Sequence, residues 1–215
     1  MRHRNVLLSV LSAAILITTT TANAARVDMK DPRRAVGRED DVRIDAELTR
    51  DTIASPAKIG VTYQIQNLTR SAIAFADKVS DASWDPETQT ITVAFGAEVP
   101  DGANMPHLVI IAAGETKTFS GGGSVAFVAS NVRSPWTNVP RYVQIKVTLL
   151  RDLKPFEKLI DQQNRTAAAP PLSNDAFDHW VNSVGSVLLN PIPVHYQGKS
   201  PEGMDVEQTA PGGGL

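Results

Sequence analysis

The sequence predicts a mainly β protein, an antiparallel β-sandwich of about seven strands with a short C-terminal helix and a disordered tail. Apolar and polar side chains alternate with a period of two in segments between residues 42 and 150. Gly, Pro, Asn and Asp separate these segments at short intervals, and no helical periodicity interrupts them. Clean alternation of this kind is typical of antiparallel sheets with one face in solvent.

The first 24 residues have the layout of a cleavable signal peptide. Arg2 and Arg4 give a basic start, residues 6–17 form an apolar run, and Ala22-Asn23-Ala24 provides a small-residue site with cleavage after Ala24. This run is too short to span a bilayer of about 30 Å, although an N-terminal membrane anchor is the alternative interpretation. We expect a periplasmic or extracellular protein with no stable membrane insertion after cleavage.

Composition limits the classes of partner. The formal net charge of the chain is −2, and no stripe of Lys and Arg with interleaved aromatic residues occurs, which argues against nucleic acid and anionic membranes. The chain has no cysteine, so we expect no disulfide, no thiol catalysis and no lipidation. Residues 25–41 are dense in both signs of charge and predict a flexible, solvated leader.

The β-sandwich is expected at residues 42–150. A continuous apolar run at residues 108–112 predicts a strand buried on both faces, and three glycines at residues 121–123 predict a hinge or tight turn. The alternating pattern predicts further strands at residues 42–48, 59–66, 72–78, 91–95, 116–119, 125–129 and 142–150.

Residues 151–196 are expected to form a C-terminal extension. Residues 151–161 are ambiguous, because Pro155 interrupts a helical pattern, and residues 164–171 predict a linker. Apolar residues from Phe177 to Leu188 recur at helical spacing after capping residues 173–175, with Gly185 as the expected stop. A last strand around residues 187–196 and a disordered tail at residues 197–215 complete the expectation.

Three tryptophans are candidates for contact with a partner. Trp84 and Trp136 lie in turn-rich stretches, and Trp180 lies on the expected helix. Exposed tryptophans often mark contact surfaces, because they bury much area at low entropic cost. The competing interpretation, which we favour, is that Trp84 and Trp136 fold back and close an end of the sandwich.

The sequence contains no convincing motif for catalysis or metal binding, so we expect no catalytic residue, cofactor or metal. His107, His179 and His195 are widely separated, and Ser124 and Ser186 lack the surroundings of a nucleophile elbow. The three glycines at residues 121–123 lack the following motif of a phosphate-binding loop. Carboxylates at residues 40–41, 77 and 81, and 175 and 178 form pairs in the sequence only, and Asn67 and Asn164 begin glycosylation sequons.

The strand run resembles an immunoglobulin-like β-sandwich. The residues that carry the resemblance are the strand from Ile59 to Thr69, the strand Ala72-Ile73-Ala74-Phe75 and the Gly114-Glu115-Thr116 turn before a late strand. The resemblance covers residues 42–150 and lacks the Cys…Trp…Cys pattern of antibody domains. The chain is similar to small exported bacterial proteins of this fold with unassigned function, and the resemblance implies no catalytic residues.

Three functional hypotheses follow. The first is an exported, non-enzymatic binding module that contacts another envelope or extracellular protein through loops or an exposed sheet edge. The second is a secreted hydrolase or carbohydrate-active protein with carboxylates from distant segments in a concave pocket. The third, an assembly chaperone with two sandwiches, is disfavoured because residues 151–215 are too short for a second sandwich.

Overall fold

A computed structural model describes residues 31–77, 81–100, 104–127, 139–166 and 169–197. The expected mainly β class is confirmed, with two short helices after the strand-rich region. The helices are α1 (Glu157–Thr166) and α2 (Asn174–Ser183). The strands are β1 (Arg34–Glu39), β2 (Val42–Leu48), β3 (Thr52–Ile53), β4 (Ala57–Asn67), β5 (Ile73–Ala76), β6 (Asp81–Asp85), β7 (Thr90–Phe95), β8 (Leu108–Ile111), β9 (Thr116–Val125), β10 (Tyr142–Leu150), β11 (Val184–Leu188), β12 (Ile192–Pro193) and β13 (His195–Tyr196).

The first sheet has four antiparallel strands in the order β1-β2-β4-β9. Its inner face is apolar because the period-two pattern places one set of side chains inward, as on β2, where Val42, Ile44, Ala46 and Leu48 are buried. Its outer face carries mainly polar side chains. One row across this face runs from Arg34 through residues 47 and 62 to Ser120.

The second sheet has the order β6-β7-β10-β5-β8 and is built around β10. One edge of β10 pairs in parallel with β7 and then, at Leu149 and Leu150, antiparallel with β5, while β11 and β12 pair with its other edge. β7 ends just before Gly96, where β5 replaces it as the neighbour of β10. Gly96 has a φ of 82°, and a side chain there would collide with the carbonyl of Thr148, so glycine is required at this position. The expected all-antiparallel pattern is therefore wrong for the pair β7 and β10.

The two sheets share one apolar core. Tyr63 of the first sheet lies 4.5 Å from Phe95 and 6.0 Å from Phe75 of the second, measured between ring centroids. The three expected hinge glycines lie within a continuous strand, β9. A side chain at Gly121 would lie 2.7 Å from the Phe95 ring, and one at Gly123 would lie 2.5 Å from Ala82, so these glycines allow the sheets to approach.

Part of the expected flexible leader is a strand. Residues 34–39 pair with β2 through a two-residue turn in which Asp40 and Asp41 have φ angles of 44° and 60°. Such a turn with two positive φ angles matches the twist of a hairpin. Charged side chains of this segment form ion pairs within the hairpin, Arg34 with Glu47 at 2.6 Å and Arg38 with Asp41 at 2.9 Å. Residues 1–30 lie outside the described residues.

The helical part of the C-terminal extension packs on the outer face of the second sheet, whereas its strands β11 and β12 pair with β10. Phe156, Ile160 and Trp180 form a second core with residues of β5, β8 and β10. A 3₁₀ turn, Lys154–Phe156, accommodates Pro155 ahead of α1, which continues to residue 166 and so occupies part of the expected linker. The expected N-cap of α2 is Ser173, whose hydroxyl accepts the N–H of Ala176 at 3.2 Å.

The end of α2 differs from the expectation. The helix ends at Ser183, and Gly185 lies within β11 rather than stopping the helix. Pairing with β10 from Val184 onward draws this apolar segment into the sheet, which outweighs its helical spacing. No helix in the described ranges is long and apolar enough to cross a membrane. Of the expected tail at residues 197–215, Gln197 is described and donates its N–H to the carbonyl of Ile53 at 2.8 Å, and the other residues fall outside the described ranges.

Candidate functional site

The structure does not bring the candidate tryptophans together. Trp180 is 1% exposed, and its indole N–H donates to the carbonyl of Ala97 at 3.2 Å, so it serves the second core rather than a contact surface. Trp136 lies outside the described residues. Trp84 is partly buried on the inner face of β6, with its ring 5.5 Å from that of Phe127.

Trp84 belongs to an aromatic group at one end of the sandwich. The ring of Phe127 lies 5.6 Å from that of Tyr196 as well as against Trp84. The hydroxyl of Ser55 donates to the carbonyl of Phe127 at 2.7 Å and holds the backbone of Phe127 in place. Trp84 is thus partly buried among aromatic side chains, and the interpretation that it closes an end of the sandwich stays a prediction.

The candidate polar residues are dispersed. His107 lies just before β8, His179 on α2 and His195 on β13, and all three are exposed. The described residues contain no cluster of three or more metal-ligating side chains. Asn67 is fully buried, and its amide donates to the carbonyls of Ser71, Ile111 and Ala112 at 2.8 to 3.1 Å. This amide is a structural group, and the sequon at residues 67–69 is not accessible in the folded chain.

A polar cluster on the outer face of the second sheet joins Glu98, Lys146, Thr148 and Ser186. The ammonium of Lys146 pairs with Glu98, which also accepts the Ser186 hydroxyl at 3.3 Å. The hydrogen bond from Lys146 lowers the pKa of Glu98 below its usual value. An ammonium held by a carboxylate has no lone pair to receive a proton from a serine, so this cluster does not have the arrangement of a serine nucleophile with its base.

The outer face of the first sheet has a shallow depression of about 130 Å³ lined by polar groups that include Arg34, Asp45, Glu47 and Gln64. Asp45 pairs with Arg43 at 3.0 Å, and Glu47 pairs with Arg34. A general acid needs a carboxyl group with a raised pKa. The carboxyl groups with shifted pKa values in the described ranges, Asp31, Asp85 and Glu98, are all lowered.

The edge of the second sheet at β8 is closed by side chains. The amide of Gln163, which is 4% exposed, accepts the N–H of Leu108 and donates to the carbonyl of Leu108, both at 3.2 Å. The ammonium of Lys117 donates to the carbonyl of Ile110 at 2.6 Å, and Glu115 accepts the N–H of Ala112 at 2.7 Å. These side chains occupy the positions that an added strand would need.

The edge of the first sheet at β1 lies against β11 of the second sheet. A side chain at Gly37 would lie 2.9 Å from Val187 and 3.1 Å from the carbonyl of Leu188, so little space separates the two strands. The carboxylate of Asp40 pairs with Arg151 at 3.1 Å on the same side of the molecule. The contact at Gly37 is on the inner face of the sheet, because Gly37 is buried opposite the core residue Ile44.

The edge of the first sheet at β9 has backbone groups that point away from the sheet over residues 116–120. The N–H of Asn67 donates to the carbonyl of Glu115, and the N–H of Thr49 donates to the carbonyl of Gly60. Odd-numbered residues of β4 therefore bond toward β9 and even-numbered ones toward β2. By the register of β4 and β9, the backbone groups of Thr116, Thr118 and Ser120 point away from β4.

No other strand in the described ranges pairs with this part of β9. We define the β9 edge as residues Thr116, Thr118 and Ser120, whose side chains are exposed, together with the intervening Lys117 and Phe119. The sequence predicts a strand at residues 116–119, but the position of that strand at the edge of a sheet follows only from long-range pairing.

No protein-family model, curated protein or solved structure matches the chain.

Proposed function

We propose that the protein is an exported, non-enzymatic binding module that recognises an extended segment of a partner protein at the β9 edge. Its scaffold is proposed to be an immunoglobulin-like sandwich, supported by two sheets that face each other across one core. Recognition by strand addition uses main-chain hydrogen bonds for affinity and alternate side chains for specificity.

The observation that carries the proposal is the contrast between the β8 edge of the second sheet and the β9 edge of the first. Side chains of Gln163 and Lys117 bond to the backbone of β8 at its edge. At the β9 edge, Thr116, Thr118 and Ser120 direct backbone donors and acceptors away from the sheet. An edge of this kind offers an added strand its hydrogen-bonding partners without any rearrangement of the sheet.

The side chains at the β9 edge suit an uncharged, extended ligand. The outer face offers exposed hydroxyls at Thr116, Thr118 and Ser120. On the inner side, Phe119 is only partly buried and lies 4.8 Å from Phe75 and 5.5 Å from Tyr63, so an added strand can cover its exposed part. A partner segment with small polar residues outward and apolar residues inward matches both faces.

A peptide-display experiment tests the proposal. Extended peptides of about ten residues are selected on the purified chain, and binding is measured for Thr118→Pro and Thr118→Val. The first change removes a backbone N–H that points outward, and the second keeps it while changing the side chain. Loss of this hydrogen bond, at about 1 kcal/mol, weakens binding roughly fivefold for Thr118→Pro, whereas Thr118→Val keeps the bond.

The control for folding is the melting temperature of both variants, which must stay close to that of the parent chain. Equal binding by Thr118→Pro and the parent chain would contradict the proposal. Formation of a sugar or peptide product by the purified chain would favour the hydrolase hypothesis instead. Export is tested separately, by the mass of the secreted chain, which is expected to begin at Ala25.

A further inference from the structure

We propose that the partner at the β9 edge is a second copy of this chain, paired antiparallel about Thr118. This inference rests on the proposed function, because it names the occupant of the same edge. It joins two four-stranded sheets into one continuous sheet across a twofold axis. The strand order becomes β1-β2-β4-β9 in one copy, followed by the same strands in reverse order in the second copy.

The backbone direction permits this pairing. In an antiparallel pair centred on Thr118, Thr118 faces its own copy and Thr116 faces Ser120 of the second copy. All three are even-numbered residues, whose N–H and C=O groups point away from β4. Hydrogen-bonding residues of the two strands therefore meet each other, as an antiparallel ladder requires.

The side chains are self-complementary in the same register. On the outer face Thr118 opposes Thr118 and Thr116 opposes Ser120, and cross-strand pairs of hydroxyl residues favour pairing. On the inner side Lys117 opposes Phe119 of the second copy, so the only charged side chain in residues 116–120 does not oppose itself.

Lys117 would normally discourage pairing, because an inward charge on an edge strand is a common protection against association. Here its ammonium is engaged by the carbonyl of Ile110 at 2.6 Å and lies 3.6 Å from Glu115 of the same chain. Its charge is therefore satisfied within one copy, which leaves the alkyl part of the side chain toward Phe119 of the second copy. The segment has no charge that calls for a complementary charge on a different partner.

Sedimentation equilibrium of the purified chain tests the inference. Five residues on each side make a small interface, so the mean mass is expected to rise from one chain toward two between about 10 µM and 1 mM. Thr118→Pro is expected to abolish the rise, and Thr118→Val is expected to keep it. A mean mass of one chain at every concentration would overturn the inference.

The absence of cysteine allows a second, independent measurement. Thr118→Cys places two thiols opposite each other at a Cα separation of about 5.5 Å, within the range that a disulfide spans. Thr62→Cys is the matched control, since Thr62 is an exposed residue of the same outer face but lies on the interior strand β4. Mild oxidation should give covalent dimers for Thr118→Cys in at least fivefold excess over Thr62→Cys.

The two proposals fail in different ways. Equal dimer yields for the two cysteine variants, with selected peptides still sensitive to Thr118→Pro, would reject the second copy and leave the binding edge. If neither peptides nor a second copy depends on the N–H of Thr118, both proposals are rejected. An oligomer that survives in Thr118→Pro would place self-association elsewhere and also reject this inference.

Discussion

Replacement of Gln163 by leucine is expected to destabilise the protein strongly. Gln163 is 4% exposed, and its amide makes two hydrogen bonds of 3.2 Å with the backbone of Leu108. Leucine has a similar volume but no polar atom, so the N–H and C=O of Leu108 would both remain buried without a partner. At about 1–3 kcal/mol for each unsatisfied group, offset by the apolar gain of leucine, the net loss is about 2–4 kcal/mol.

Urea denaturation followed by circular dichroism measures this loss. Gln162→Leu is the matched control, because Gln162 is the preceding residue of α1 and is exposed. For a domain of this size the same free energy corresponds to a fall in melting temperature of roughly 5–15 °C. Hydrogen exchange adds a local readout, since the amide of Leu108 should lose protection in Gln163→Leu and keep it in Gln162→Leu.

Gln163→Glu separates the two hydrogen bonds. An ionised carboxylate can accept the N–H of Leu108 but repels its carbonyl, whereas the protonated acid can donate to that carbonyl. Burial and the carbonyl both favour the neutral form, so the folded-state pKa of the introduced acid lies above its unfolded value of about 4.3. Its penalty relative to the parent chain should therefore be full at neutral pH and shrink as the pH falls through the folded-state value.

The reasoning about the β8 edge would be refuted by a specific result. If Gln163→Leu and Gln162→Leu agree within about 0.5 kcal/mol, the amide contributes nothing to closing the edge. A loss confined to Gln163→Leu, with an unchanged dependence of stability on urea concentration, would support the edge cap. A change in that dependence would instead indicate an altered denatured or native state.

Three further substitutions test other parts of the fold. Gly96→Ala should cost about 2 kcal/mol or more in urea denaturation, because the new Cβ at φ 82° collides with the Thr148 carbonyl. Asn67→Ala should cost about 3 kcal/mol or more in the same assay, since it removes a fully buried amide with several hydrogen bonds. Hydrogen bonds from Arg33 lower the pKa of Asp31 to about 2, and Arg33→Gln should return it toward about 3.9 in an NMR titration.

The strands of the core follow directly from the sequence. Ile44, Val93 and Ile145 lie on the predicted apolar faces of their strands and are all fully buried. The period-two pattern is a local property, because alternate side chains of any strand point to opposite faces of the sheet. It therefore predicts which residues are inside but not which strands become neighbours.

Strand pairing could not be predicted because it depends on distant parts of the chain. The parallel pair β7 and β10 joins Ile91 to Val143, and nothing in either segment distinguishes a parallel from an antiparallel neighbour. The amide of Gln163 meets Leu108 across 55 residues. A glutamine on a polar helix is expected to be exposed, so the sequence does not predict that Gln163 caps the edge of a sheet.

The charged hairpin β1–β2 illustrates the same limit. Arg34 and Glu47 lie opposite each other on the outer face of the first sheet and form an ion pair at 2.6 Å. In the sequence the region around Arg34 has the composition of a solvated leader, because the apolar side chains of β1 are Ala35 and Val36, which are adjacent and do not alternate with polar ones. Pairing with β2 supplies the order that its composition alone does not predict.

The position of the candidate site follows from how each sheet ends. Burying a strand edge requires a partner for every backbone N–H and C=O, and the β8 edge obtains partners from Gln163, Lys117 and Glu115. One of these residues, Lys117, belongs to β9, so closing the β8 edge directs its ammonium away from an approaching strand. The closure of one sheet edge thus removes a charge that would otherwise protect the other. The β9 edge therefore combines outward-facing backbone groups at Thr116, Thr118 and Ser120 with a lysine whose ammonium is already held within the same chain.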